Sequence, residues 1–246
     1  MIFKEKPCEK KEFVLHYESK NNEKGQFDMR MRKKKHGEER ILACRALLLD
    51  LPETPICGPH PHMAPDKKIA LEIGCGKGGF ACAMAEKYPD IAFFAMEKIA
   101  NVMICALERA KACADLRPED NLRFMIADAR DLSSWFAPNS VEYLYLNFSD
   151  PWPKARHAER RLTHRAFLQS YFSLLTDTGV LQFKTDNVGL FDFTLEEIAA
   201  LGLTPEVVTR DLHHSPYAED NVMTEYEQNF SSQGYPIHML RLRKPK

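Results

Sequence analysis

No stretch of about 18 apolar residues occurs in the chain, so nothing in it reads as a membrane-spanning helix. The opening residues, MIFKEKPCEKKEF, lack the apolar run of a secretory signal. The seven cysteines, at positions 8, 44, 57, 75, 82, 105 and 113, form no CxxC pair and show no zinc spacing. They read as reduced, mostly buried thiols of a cytoplasmic protein. His60-Pro61-His62 falls in a proline-rich stretch that reads as a linker, so no metal site is expected. Charge of one sign is missing too: 34 Lys+Arg stand against 35 Asp+Glu, a formal net charge of −1. That excludes a uniformly basic nucleic-acid binder and leaves any affinity for phosphate to local patches. There is no internal repeat and no low-complexity segment. What remains is an ordinary globular composition, 44% hydrophobic and 28% charged over 246 residues. Such a chain can close a core without disulfide or metal staples.

Residues 1–28 are polar without a sustained period and read as a weakly ordered extension. Residues 29–66 hold a basic run (MRMRKKK, 29–35), helical apolar spacing over 38–50 at Ile41, Leu42, Leu48 and Leu49, and a linker with five prolines. From 67 to 246 the pattern alternates. Strands are predicted at 69–73, 91–96, 122–126, 141–148 and 179–184. Helices are predicted at 79–88, 98–115, 162–175 and 188–201, with a short helix or turn at 129–136. This is an α/β domain of βαβ units, a mostly parallel sheet with helices on both faces. Segments 204–211 and 236–243 read as two more strands with no clear helix between them, an antiparallel, hairpin-like finish.

Chemistry-bearing residues gather at the predicted strand ends. Glu72-Ile73-Gly74-Cys75-Gly76-Lys77-Gly78-Gly79 leaves the first strand as a glycine-rich turn opening a helix, the context in which such turns approach nucleotide-type ligands. Gly74, Gly76 and Gly79 fit the G-x-G-x-x-G of dinucleotide enzymes. Gly74, Gly76 and Gly78 fit the G-x-G-x-G of S-adenosylmethionine (AdoMet) methyltransferases. Glu97, 18 residues after Gly79, is placed to accept ribose hydroxyls. Asp128, followed by Ala129, is placed either for an adenine amino group or to cap the next turn. Tyr145-Leu-Asn147-Phe-Ser-Asp150-Pro151-Trp152-Pro153-Lys154 leaves the fourth strand, stiffened by two prolines. An acid and an aromatic ring on a rigid loop suit a planar heterocycle. Five Lys/Arg and one acid follow between 154 and 165, a phosphate-tracking pattern that includes Arg156, Arg160 and Arg161 around His157. With 29–35 and the tail residues Arg241, Arg243, Lys244 and Lys246, three basic patches are set in a neutral protein. Phe183-Lys184-Thr185-Asp186-Asn187 and Thr224-Glu225-Tyr226-Glu227, the latter in a polar segment, fall where the crevice is expected.

Taken together, EIGCGKG, YLNFSDPWPK, the RH and RRL that follow, FKTDN and TEYE resemble the bacterial tRNA (guanine-N7-)-methyltransferase family from about residue 29 to 242. The resemblance implies a Rossmann-like class I methyltransferase fold of seven strands, with an antiparallel C-terminal strand. It implies AdoMet as cofactor and a variable-loop guanosine of tRNA as acceptor. By the same resemblance Glu72, Gly74, Gly76, Glu97, Asp128, Ala129 and Asp150 are cofactor-site residues, and Asp150 is also catalytic. Lys154, Asp186, Thr224, Glu225, Tyr226 and Glu227 match substrate-binding positions, and Arg156, His157, Arg160 and Arg161 an RNA-contacting stretch. The chain departs from the family at Ala155, where a second Lys or Arg is common, and Cys75 sits where the family varies. The assembly stays open between monomer and homodimer. An NAD-dependent dehydrogenase is the first alternative, but no catalytic His or Tyr-Lys pair is evident near the crevice. A protein or small-molecule methyltransferase leaves the basic cluster unused, and a non-catalytic RNA binder leaves the set of acids unused.

Overall fold

The computed structural model describes residues 34–58, 67–114 and 120–245. The expected extension over 1–28, the run 29–33, the His60–His62 pair and Lys246 lie outside them. Seven strands form one sheet: β1 (Lys68–Ile73), β2 (Ile91–Glu97), β3 (Leu122–Ile126), β4 (Val141–Asn147), β5 (Leu175–Thr185), β6 (Val207–Thr209) and β7 (His238–Arg243). Their spatial order is β3-β2-β1-β4-β5-β7-β6. Pairings among β1 to β5 are parallel, and β7 runs antiparallel to both β5 and β6. The fold class is therefore the one expected. Strand order reverses direction between β1 and β4, the place where open α/β sheets leave a crevice at the carboxyl ends of their strands.

The strands are apolar almost throughout because both faces are covered. On one face Ile69, Leu71 and Ile73 meet Leu132 of α4 (Leu132–Trp135), Leu168 and Tyr171 of α5 (Arg165–Leu174) and Phe191 and Ile198 of α6 (Val188–Ala200). On the other, Ala70, Phe93 and Ala95 meet Phe80 and Met84 of α2 (Gly79–Lys87) and Met103 and Leu107 of α3 (Ala100–Ala112). The alternation of Ile69 and Leu71 against Ala70 is the period of two that sends successive side chains to opposite faces.

Three expectations need correction. The apolar spacing over 38–50 forms a six-residue helix, α1 (Gly37–Leu42), and a 3-10 turn (Arg45–Leu47), not one helix. The chain breaks away because Leu48 pairs in a parallel bridge with Phe124 and the Leu49 amide donates to the Phe124 carbonyl, at 2.9 Å. That covers the outer edge of β3, which would otherwise present unpaired backbone groups. Second, a helix does separate the last two strands: α7 (Glu225–Ser231). Third, the basic tail is not a free patch. The Arg241 guanidinium donates to Gln182 at 2.9 Å and Arg243 pairs with Glu206 at 3.0 Å. Lys244 donates to the Leu175 carbonyl at 2.9 Å. These cations knit β7 into the sheet.

Candidate functional site

The glycine turn between β1 and α2 holds Gly74, Gly76 and Gly78 at φ of 80°, 56° and 74°, a region L side chains rarely adopt. Gly79 is already the first helical residue, so the special backbone follows the G-x-G-x-G spacing. The glycines do different work. A Cβ on Gly78 would stand 2.8 Å from that of Ala106, so this position lets α3 close on the turn. Gly74 and Gly76 face open space, with nothing within 4 Å of a Cβ.

That space is a cleft of about 370 Å³ bounded by the turn, Glu72, Phe80, Asn147, Phe148 and the start of α7. Glu72 is buried at its floor and accepts from the Asn147 amide at 2.9 Å. Its second oxygen and the Asn147 carbonyl oxygen are buried without a partner. Burial pushes the Glu72 carboxyl up to about 7, against the lowering effect of the Asn147 bond and the Lys184 charge. Two orphaned acceptors on residues that line the cleft suit a cationic N–H donor.

Glu97, at the end of β2, accepts from the amides of Ile99 (2.8 Å) and Gly76 (3.2 Å), tying the glycine turn to its neighbour strand. Burial raises its pKa, and the charge of Asp150 adds to the rise. Asp128 caps the 3-10 turn Ala129–Asp131 and accepts from Arg130, with Lys98 at 2.7 Å. Its bonds from Arg130, ahead of those from Lys98, hold its carboxyl well below the usual range. The capping alternative thus holds in this structure: the acid is already paired with cations, and it lines neither hollow described here.

Asp150 is exposed on the loop after β4. Two non-glycine residues of this loop, Phe148 (φ 51°) and Trp152 (φ 40°), are left-handed, each at a cost of about 1–3 kcal/mol. The loop bounds a second hollow of about 170 Å³ with Ser149, Asp150, Asp186 and Tyr226 on its walls. Phe148 and Tyr226 line both hollows, with ring centroids 5.0 Å apart. The two spaces adjoin across this aromatic pair.

The basic cluster divides. Lys154, Arg156 and Arg160 are exposed, and the Arg160 guanidinium lies 5.0 Å over the Trp152 ring, which His157 meets edge-on. Arg161 instead points inward and bonds backbone carbonyls, and Arg165 is paired with buried Glu197 at 2.8 Å. The TEYE run also divides. Thr224 and Glu227 form a reciprocal capping box at the start of α7. The Glu227 side chain is fully buried and lies 2.6 Å from the Lys184 ammonium, itself fully buried. Lys184 also donates to Asn221 and to the Val222 carbonyl, both at 3.0 Å. Burial lowers its pKa while Glu227 opposes the shift. Glu227 is therefore a strut holding α7, its carboxylate already engaged, while Thr224, Glu225 and Tyr226 line the first cleft. Glu225 pairs with Arg109 and packs over Gly79. The sequence singled out neither Asn147 nor Phe148 as site residues, although both stand within NFSDPWPK. The TEYE box was the available signal for α7.

Among the described residues no cluster of three His, Cys, Asp or Glu side chains is placed to hold a metal ion, and no helix is long and apolar enough to cross a membrane.

Residues 66–240 match the family described as "Putative methyltransferase". The tRNA (guanine-N(7)-)-methyltransferase of Lysinibacillus sphaericus is 43% identical over 86% of this chain and 96% of its own length. Those of Lachnoclostridium phytofermentans (46%; 74% of this chain, 83% of its own) and Brevibacillus brevis (48%; 69% and 78%) are similar as well. Among solved structures, the 16S rRNA methyltransferase KamB superposes with a TM-score of 0.55 at 12% identity, over 73% of this chain and 89% of that one. An antibiotic-related methyltransferase gives 0.53 at 13%, over 74% and 87%. At such identities the likeness is one of fold.

Proposed function

The chain belongs to the tRNA (guanine-N7-)-methyltransferase family, and we propose that it transfers the methyl group of AdoMet to N7 of the variable-loop guanosine at tRNA position 46. One observation carries the assignment of sites: two hollows adjoin at the switch point, the first offering orphaned acceptors to a cation, the second offering carboxylates to a base edge. The donor fits the first. Glu72 and Asn147 would take its ammonium group, Gly74 and Gly76 leave room for close approach, and Glu97 and Asp128 would meet its ribose and adenine. Bound there, it supplies a methyl group on a sulfonium, activated for in-line displacement.

The chain's own contribution is mainly placement. Guanine N7 carries an in-plane lone pair and needs no base to deprotonate it. Holding it in line with the methyl carbon can supply about 7–11 kcal/mol of the barrier. In this reading Asp150 accepts hydrogen bonds from the N–H edge of the guanine and offsets the positive charge that develops on the ring. Asp186 and Tyr226 wall the same hollow, and the Tyr226 hydroxyl lies 3.5 Å from the Asp186 carboxylate. The target base must leave its tertiary contacts to reach this space. Lys154, Arg156 and Arg160 then meet the flanking phosphates. A cytoplasmic setting follows from that substrate.

Label from methyl-labelled AdoMet, recovered as 7-methylguanosine after nuclease digestion of bulk unmodified tRNA, is the expected result. Label in any other nucleoside refutes the acceptor. Binding of tRNA should weaken steeply with salt, and removal of Arg156 or Arg160 should each lower the slope of log Kd against log salt by about 1. An unchanged slope removes that residue from the phosphate track. The pH dependence has a definite sign. A carboxyl raised to about 7 in the folded chain contributes stability below the usual carboxylate range and loses it as pH rises through 7. AdoMet binding, which needs the carboxylate, moves the other way: affinity should rise about tenfold from pH 6 to pH 8. Calorimetry at the two values checks this, and Glu72→Gln should bind weakly with no such rise.

A further inference from the structure

Arg160 and Arg161 are neighbours in one basic run, but they face different ways. Arg160 is exposed and lies over the Trp152 ring. Arg161 sends its Nε to the Pro151 carbonyl at 3.0 Å and a terminal nitrogen to the Trp152 carbonyl at 3.1 Å. Its guanidinium also lies 4.2 Å from the centre of the Phe193 ring, on α6. We infer that Arg161 is a positioning residue for methyl transfer, a clamp that fixes the loop presenting Asp150, and not a contact to RNA. The inference rests on the role proposed above for Asp150.

The physical need for a clamp is on the loop itself. Phe148 and Trp152 bracket Asp150, and both hold left-handed backbone that the local sequence does not favour. On the Phe148 side the loop is tied by its amide, which donates to the Lys184 carbonyl of β5 at 2.9 Å. On the Trp152 side, among the hydrogen bonds of the described residues, the two carbonyls that follow Asp150 are tied by Arg161 alone. A planar fork spans two successive carbonyls and lies over a ring at the same time. A lysine ammonium cannot do both. The same guanidinium ties the loop to α6, whose Phe191 and Ile198 are set in the core beneath the sheet. Asp150 is thus held between the sheet on one side and a packed helix on the other.

A clamp and a phosphate contact predict opposite kinetics. Misplacing a reacting group by about 1 Å can cost about 10²-fold in rate. For Arg161→Lys, which keeps the charge, kcat on saturating tRNA should fall about 30- to 100-fold. The Kd for tRNA, its salt slope and the Kd for AdoMet should stay within about twofold of wild type. Phe193→Leu removes the ring and leaves both carbonyl bonds, so its loss of kcat should be smaller and in the same direction. It also carries the test if Arg161→Lys does not fold. A readout independent of turnover is the second tryptophan: in a Trp135→Phe background, acrylamide quenching of Trp152 should increase when Arg161 becomes Lys. In Arg161→Gln, which removes the charge, a weakened tRNA Kd with a shallower salt slope and unchanged kcat overturns the clamp and returns Arg161 to the RNA surface. Unchanged kcat together with unchanged quenching overturns it as well. Failure of the proposed function is a separate result, because it is read on the wild-type chain as absence of 7-methylguanosine.

Discussion

Replacing Asp150 by Asn should lower kcat for tRNA methylation by about 10²–10³-fold while AdoMet affinity changes by no more than about threefold. The asymmetry is the content of the prediction. Asp150 stands in the second hollow and Glu72 and Asn147 in the first, so the donor's main cationic contact does not pass through Asp150. An amide in its place keeps the size but loses the charge that offsets a cationic base, and presents an N–H where the guanine also presents one. That arrangement is repulsive in the transition state and hardly felt by the donor. Single-turnover transfer under saturating tRNA, paired with calorimetric titration of AdoMet, separates the two effects. Wild-type turnover in this variant sinks the assignment. A collapse of AdoMet affinity alone would make Asp150 a cofactor residue only.

The second large effect is on stability. Lys184→Met should cost about 3–5 kcal/mol, because it leaves the fully buried Glu227 carboxylate without its cation. The double variant Lys184→Met with Glu227→Gln should recover a large part of that loss, since no uncompensated charge then remains buried. Urea denaturation of the three variants closes the cycle. If the double variant is no better than the single one, the pair is not what holds α7. Recovery of stability without recovery of activity would show that the placement of Tyr226 depends on this ion pair.

The sheet was legible in the sequence because strands buried on both faces are short continuous apolar runs, and IALEI, IAFFAM and LRFMI are such runs. The candidate site was legible where motif and strand end coincide: Gly74, Gly76 and Asp150, singled out on that ground, line the two hollows. What escaped depends on partners distant in sequence. A basic run looks the same whether its members face phosphate or, like Arg161 and Arg243, a carbonyl or an acid of the same chain. Lys184 reads as the polar end of a strand, and only the fold brings Glu227, 43 positions away, against it. The seven-residue α7 is too short for apolar periodicity to reveal, so its capping box was the one local trace. The helix expected over 38–50 failed for a similar reason: the uncovered edge of β3 outcompetes its weak local preference.

Sheet order also has a consequence for the timing of assembly. Among the named strands β6 pairs only with β7, which lies about thirty residues further along the chain. During synthesis β1 to β5 can pair as they emerge, but β6 must wait for its partner. Everything strung between them, including the wall that carries Tyr226, is an open loop until β7 slots in beside β5. A nascent chain in that state lacks the wall from α7 that both hollows share. The last pairing event is then the one that closes both hollows, and hydrogen exchange should find β6, α7 and β7 opening together as one unit.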